Sequence, residues 1–289
     1  MNSGTRLRIL TASILIPLVV AGIWWGPTWF VAGLAAAVAV MALLEFLAMG
    51  ERMGFKAYRV WTCLAAVGIF AQQWIASEQA STRGLGDLLY EARSPHVTLE
   101  FVLFVFVLGV AAVAVMGGKA LAEILPSISI SAAGLVFIVL PLSAVVRLHG
   151  VDVSGPQLLL FTVVVVWVGD TAAYFAGRGF GRWKMSPQLS PNKTWEGAGA
   201  NFLGALLVGA IFGFWTRIEP IHMLAMAGLG SVAGQVGDLF ESAFKRSAGV
   251  KDSGTILPGH GGMLDRIDAL ILAAPTVWYY FEWVVQKKF

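Results

Sequence analysis

Cysteine is almost absent from this chain. One residue, Cys63, stands in an apolar stretch of 289 residues, which excludes an intramolecular disulfide and a zinc cluster built from cysteines. Charge is scarce too, with Asp, Glu, Lys and Arg making up 13% of the chain, against about a quarter in soluble domains. Neither sign dominates: 20 basic and 17 acidic residues give a formal net charge of +3, so no nucleic-acid partner is indicated. No internal repeat is visible and no low-complexity linker separates domains. What is present is apolar. The hydrophobic share is 57%, with 33 Gly and 11 Trp, and this excludes both an ordinary soluble globule and a disordered chain.

Nine apolar runs are long enough to cross about 30 Å of hydrocarbon as helices. They cover residues 7–25, 27–49, 57–77, 97–116, 125–148, 156–177, 197–216, 219–244 and 267–287. The predicted fold is therefore all-α, a polytopic integral membrane protein with about nine transmembrane helices. The first run follows Arg6 and Arg8 as a signal peptide would. It is long, lacks a clear small-residue cleavage site and precedes eight further runs, so it reads as an uncleaved helix. Pro17 and Pro141 fall inside runs and are expected to act as packing kinks. Nine spans put the termini on opposite sides, and fourteen of the 20 Lys and Arg residues then lie on the N-terminal side. The positive-inside rule makes that side cytoplasmic.

The chain also divides by chemistry. Residues 1–150 carry few charges inside their runs and are expected to form an N-terminal transmembrane scaffold. Residues 151–289 hold Asp170, Asp238 and Glu241 together with two Gly-rich, basic cytoplasmic loops, 178–196 and 245–266. This is the expected catalytic half.

The first constellation of interest is GDTAAYFAGRGFGRWKMSPQLSPNKTWEG, residues 169–197. Asp170 follows an apolar run, where a carboxylate is costly unless it is paired or faces water; a helix-packing role bonded to a neighbour's backbone is the structural alternative. Downstream, Arg178, Arg182, Lys184 and Lys193 stand among glycines, as a polyphosphate site requires, although a plain basic loop obeys the positive-inside rule equally well. Thr194 is expected to cap the next helix, with Glu196 near its positive end. That leaves Ser190 and Lys193 to face a ligand.

The second constellation is denser. Asp238, Glu241, Ser242 and Lys245 stand at i, i+3, i+4 and i+7 and so share one helical face, which must point into protein or a water-filled cavity. The following loop leads to Asp265, Arg266 and Asp268 at a helix start. Asp238, Asp265 and Asp268 are expected to converge, and like charges so close require a cation. With oxygen ligands that cation is a hard one such as Mg2+. Carboxylates for metal and interleaved Lys245, Arg246, Lys251 and Arg266 for phosphate form the layout of metal-assisted phosphoryl or nucleotidyl transfer. A salt-bridge network between loop and helix would show the same charge pattern. His260 stands alone, without the second His or Cys of a metal cluster, and is open to a role as base, phosphate contact or turn residue.

Residues 242–268, SAFKRSAGVKDSGTILPGHGGMLDRID, resemble the signature of the phosphatidate cytidylyltransferases, the CDP-diacylglycerol synthases. In that pattern a Ser precedes Lys-Arg, then Lys-Asp, then Pro-x-His-Gly-Gly, then Asp-Arg-x-Asp. These fall without departure on Ser242, Lys245, Arg246, Lys251, Asp252, Pro258, His260, Gly261, Gly262, Asp265, Arg266 and Asp268. The segments GDLFES, GDTAAYFAGR and SPNKTWEG are similar to the bacterial members as well, so the resemblance covers roughly residues 165–285.

The resemblance implies condensation of CTP with phosphatidic acid to CDP-diacylglycerol and pyrophosphate for phospholipid biosynthesis. A divalent cation is implied, Mg2+ or Mn2+ in its place, with room for a second cation. It further implies a bilayer environment, the plasma (inner) membrane with the active site facing the cytoplasm, and a homodimer. On this reading Asp238 and Asp265 are metal ligands and Asp268 a third carboxylate, while Lys245, Arg246, Lys251 and Arg266 act on the phosphates. Asp170, Ser190, Lys193, Thr194, Ser242, Asp252, His260, Gly261 and Gly262 are the expected substrate contacts. The alternatives are a membrane lipid or polyprenol kinase and a transporter, although the paired repeats usual in transporters are missing. A CDP-alcohol phosphatidyltransferase would need a different order of Asp, Gly and Arg.

Overall fold

The computed structural model describes residues 3–81, 97–152, 154–254 and 261–286. Pro258, His260, Arg83, Arg93, Lys287 and Lys288 lie outside the described residues. Among those described, nine helical runs follow one another. The first five are α1 Ser3–Trp25, α2 Thr28–Arg52, α3 Arg59–Ser81, α4 Leu99–Met116 and α5 Leu121–His149. The rest are α6 Gly155–Phe180, α7 Trp195–Trp215, α8 Pro220–Ser247 and α9 Leu264–Tyr280. The expected all-α polytopic fold is borne out. Seven of the described helices, α2 to α8, are long and apolar enough to cross a membrane.

Helix ends follow local chemistry. Thr98 caps α4 by accepting a hydrogen bond from Phe101 N at 3.2 Å, and Pro220 opens α8 at a position where no N–H is needed. At the far end of α8 the backbone turns at Gly249, whose φ of 67° only glycine adopts freely. In α5 a π turn, Leu135–Val139, directly precedes Pro141. Proline lacks the N–H that a regular helical turn would use, so the irregularity falls where the sequence placed a kink.

The loop expected over 178–196 is shorter and more ordered than the sequence suggests. Helix α6 continues through Arg178 to Phe180 and is ended by the extended Gly181. A hairpin then pairs β1, Lys184–Ser186, antiparallel to β2, Ser190–Thr194. With only three and five residues and a proline, these strands lack the alternating pattern that would reveal them in sequence. Likewise Lys245 and Arg246 belong to the last turn of α8, and Asp265 and Arg266 to the first turn of α9, which narrows the second loop.

Small residues set the helix spacing. A Cβ at Gly237 of α8 would lie 2.5 Å from the carbonyl oxygen of Asp268, and one at Gly234 3.4 Å from that of Ala269, so α8 and α9 approach backbone to backbone over one turn, and at Gly230 the Val277 side chain fills the space. In the same way Gly209 of α7 admits Met223 and Ala227 of α8. An aromatic cluster ties α8 to the N-terminal helices. Phe244 packs against Phe46 of α2 with ring centroids 5.0 Å apart, and Phe240 against Phe137 of α5 at 5.2 Å.

Candidate active site

The C-terminal end of α6, the hairpin, the C-terminal end of α8 and the N-terminal end of α9 meet at one end of the bundle. Close packing at Gly237 and Asp268 places Asp238 beside Asp268, and one helical turn along α8 adds Glu241. Carboxylate oxygens of Asp238, Glu241 and Asp268 all lie within 4.8 Å of one another. Three carboxylates at that separation repel unless a cation or protons intervene. Glu241 is 3% exposed, and among the described residues neither of its oxygens receives a hydrogen bond. The Lys245 ammonium lies 2.5 Å from Glu241 Oε2 in an ionic contact. An all-oxygen donor set with a buried, under-bonded carboxylate fits a hard divalent cation.

Lys193, carried by β2, reaches across to Asp238 with Nζ 2.6 Å from Oδ2. Next to this pair, α6, α7, α8 and the hairpin enclose a cavity of about 300 Å³ lined by Asp170, Tyr174, Lys193, Asn201, Gln235 and Asp238. Asn201 bridges two helices there: its amide donates to Asp170 Oδ1 at 3.2 Å and its carbonyl accepts from Ser231 Oγ at 2.7 Å. Asp170 therefore faces this cavity, bonded to a side chain of α7 and not to backbone. Thr194 caps α7 as expected, accepting from Gly197 N at 3.2 Å. Glu196 lies in the first turn of α7, near its positive end as expected, and also accepts from the amides of Arg182 and Trp183 at 3.0 and 3.2 Å, which anchors the start of the hairpin.

Asp265 is placed differently from the other carboxylates. Its Oδ1 takes a hydrogen bond from Lys245 Nζ at 2.6 Å, and its Oδ2 takes three at 3.1 Å, from Ser253 N, Ser253 Oγ and Gly262 N. The structure thus brings Asp238 together with Asp268 and Glu241, while Asp265 lies on the far side of Glu241 and shares the Lys245 ammonium with it. Arg246 donates to the carbonyls of Leu189 and Val250 at 3.1 and 3.3 Å, fastening the hairpin turn to the loop after α8. Lys251, Asp252 and Arg266 are exposed around the mouth, Ser190 is half-buried and Ser242 buried, and Gly261 and Gly262 lead into α9.

Sequence reasoning missed Glu45. This α2 residue is 4% exposed and accepts from Met263 N and Leu264 N at 2.9 Å and from Ser253 Oγ at 2.8 Å. Its only signal was an isolated acid inside the apolar run VMALLEFLAM, the mark of a functional membrane carboxylate.

The profile of the cytidylyltransferase family matches residues 6–284, and the chain belongs to that family. Named relatives share the same class. The chain is 41% identical over 136 residues to a "Phosphatidate cytidylyltransferase" of Bacillus subtilis, covering 46% of this chain and 51% of that protein. It is 42% identical over 137 residues to the protein of that name in Haemophilus influenzae, covering 45% and 48%, and over 156 residues to the one in Brucella suis, covering 52% and 56%. The aligned stretch thus spans about half the length of each relative.

Proposed function

We propose that this protein condenses CTP with phosphatidic acid, releasing pyrophosphate and forming CDP-diacylglycerol. One observation carries the reading: three clustered carboxylates stand on two closely packed helices, and one of them, Asp238, meets a lysine-bearing hairpin and a polar cavity at one end of a lipid-spanning bundle. Family membership and the relatives' printed names favour the cytidylyl transfer over a lipid or polyprenol kinase.

On this reading a phosphatidate oxygen attacks the α-phosphorus of CTP in line, a new P–O bond forms, and the bond from that phosphorus to the oxygen bridging it to the β-phosphorus breaks. The electron pair leaves on pyrophosphate. A phosphate monoester is largely ionised at neutral pH, so neither a strong general base nor a protein nucleophile is needed. Asp238, Glu241 and Asp268 would hold Mg2+, which supplies charge neutralisation to the triphosphate and its leaving group. Lys193 is placed to exchange its contact with Asp238 for a phosphate oxygen, and Lys251 and Arg266 rim the mouth with further positive charge. Lys245 keeps Glu241 and Asp265 in register. Asp170, Asn201 and Gln235 offer donors and acceptors for the polar parts of the nucleotide. The basic bias of the loops puts this end of the bundle at the cytoplasmic face of the inner membrane. The family resemblance extends the reading to a homodimer.

The test is pyrophosphate release by purified protein in detergent with phosphatidic acid and each of CTP, dCTP, ATP, GTP and UTP, with and without Mg2+. Release that needs a cytidine nucleotide, lipid and Mg2+ supports the proposal. A nucleoside diphosphate in place of pyrophosphate would identify a kinase, and no consumption of any nucleotide would sink the reading.

A further inference from the structure

Glu45 lies in the half of the chain that sequence reading assigned to a scaffold, more than two hundred residues from every group it bonds. Those groups are the first donors of α9 and the hydroxyl of Ser253. Met263, at the helix start, makes no side-chain cap of its own. The orphan N–H groups of α9 are thus satisfied by a carboxylate from α2, and a negative charge at a helix N-terminus also complements the helix dipole. Ser253 Oγ stands 2.8 Å from Glu45 Oε2 and 3.1 Å from Asp265 Oδ2. A hydroxyl has one proton, so the two carboxylates share it and their positions are linked. From Asp265 the connection runs to Lys245 Nζ at 2.6 Å and from there to Glu241 at 2.5 Å.

The glycines around this unit make room for it. A Cβ on Gly254 would run into the Glu45 carboxylate, and one on Gly262 would collide with Ser253 Oγ, with Gly254 N and with Glu45. The last glycine of PGHGG therefore answers to Glu45, and the adjacent Phe46 to Phe244 contact holds α2 against α8 at this level.

We propose that Glu45 is a positioning residue of the active site, acting through Ser253 and Asp265 to set Lys245 and Glu241 beside the carboxylate cluster. The N-terminal half would then be a working part of the site. The proposal rests on the function proposed above, and its test is arranged so that the two can fail separately.

The full chain is purified in detergent as wild type, Glu45→Gln, Ser253→Ala and the double variant. Amide hydrogen exchange is measured with and without Mg2+ alone, and pyrophosphate release is measured against Mg2+ concentration with CTP and phosphatidic acid. In Glu45→Gln the amides of Met263 and Leu264 should exchange about tenfold faster or more, and the protection that Mg2+ gives residues 238–245 in the wild type should be lost at the same Mg2+ concentration. Half-saturating Mg2+ should rise about 10- to 100-fold, the usual effect of removing support from a metal site, with a smaller change in kcat at saturation. Ser253→Ala should move in the same direction, and adding it to Glu45→Gln should cost less than it does alone. Equal Mg2+ protection in wild type and variants, no Mg2+ protection in any of them, or faster exchange with an unchanged Mg2+ requirement overturns the proposal. If Glu45→Gln does not fold, Ser253→Ala decides by the same criteria. A wild type that Mg2+ protects but that makes no pyrophosphate sinks the proposed reaction while the exchange data still judge Glu45.

Discussion

Two sets of carboxylates stand within a few side chains of each other and are treated in opposite ways. Asp265 and Glu45 are saturated with donors, accepting four and three hydrogen bonds. Asp238, Glu241 and Asp268 are crowded within 4.8 Å, and Glu241 receives no hydrogen bond among the described residues. A buried acid that only holds structure has its lone pairs filled by the fold. Glu241, short of donors and pressed against two further acids of which Asp238 has Lys193 and Asp268 the Ala269 amide as partner, keeps a capacity for something the fold does not supply. The contrast separates the acids that would hold a cation from those that fix the loop, although four of the five lie in or beside one sequence motif.

Substitutions can break this contrast at either end. The largest effect is expected for Asp238→Ala, which should lower kcat/KM by about 1000-fold, since cation stabilisation of a developing charge is worth several kcal/mol; chelating the cation should do the same to the wild type. Thermal unfolding should show little change in that variant, because relief of the repulsion among three carboxylates offsets the lost contact with Lys193. Glu45→Ala should behave in reverse. It orphans Met263 N and Leu264 N, and its midpoint in a denaturant series should drop by the equivalent of about 2–6 kcal/mol at one to three per orphaned buried group. Gly262→Ala sharpens the comparison further. Its Cβ has no space, and overpacking of this kind costs about 1–3 kcal/mol, read as a lower unfolding temperature. The smallest effect belongs to the exposed pair of Arg59 with Glu51, where two bonds of 2.6 and 2.7 Å should be worth only about 0–1 kcal/mol. An Arg59→Ala change larger than that would show that bond number alone decides, and the contrast between the two carboxylate sets would lose its force.

Much of this was legible before any coordinates. The nine runs were visible because a span needs about 20 apolar residues and little else in a sequence does. The face holding Asp238, Glu241, Ser242 and Lys245 followed from helical spacing alone, as did the Thr194 cap. The hairpin was hidden because its strands are too short to alternate. The choice between Glu241 and Asp265 as neighbour of Asp238 was hidden as well. It turns on how closely α8 and α9 approach at Gly237, and no spacing along the chain encodes that distance.

The sequence by itself determined the bilayer as solvent, the helical runs, the charged ends and the residue types gathered at them, since all of these depend on local periodicity and composition. Only the tertiary structure decided which acids share a cluster and which are locked by backbone amides, and that Glu45 of α2 bonds the start of α9 and Ser253. Those outcomes depend on contacts between residues up to 219 positions apart, and such contacts are set by helix packing, where the missing Cβ of Gly237 admits the Asp268 carbonyl oxygen to 2.5 Å from the place that Cβ would take.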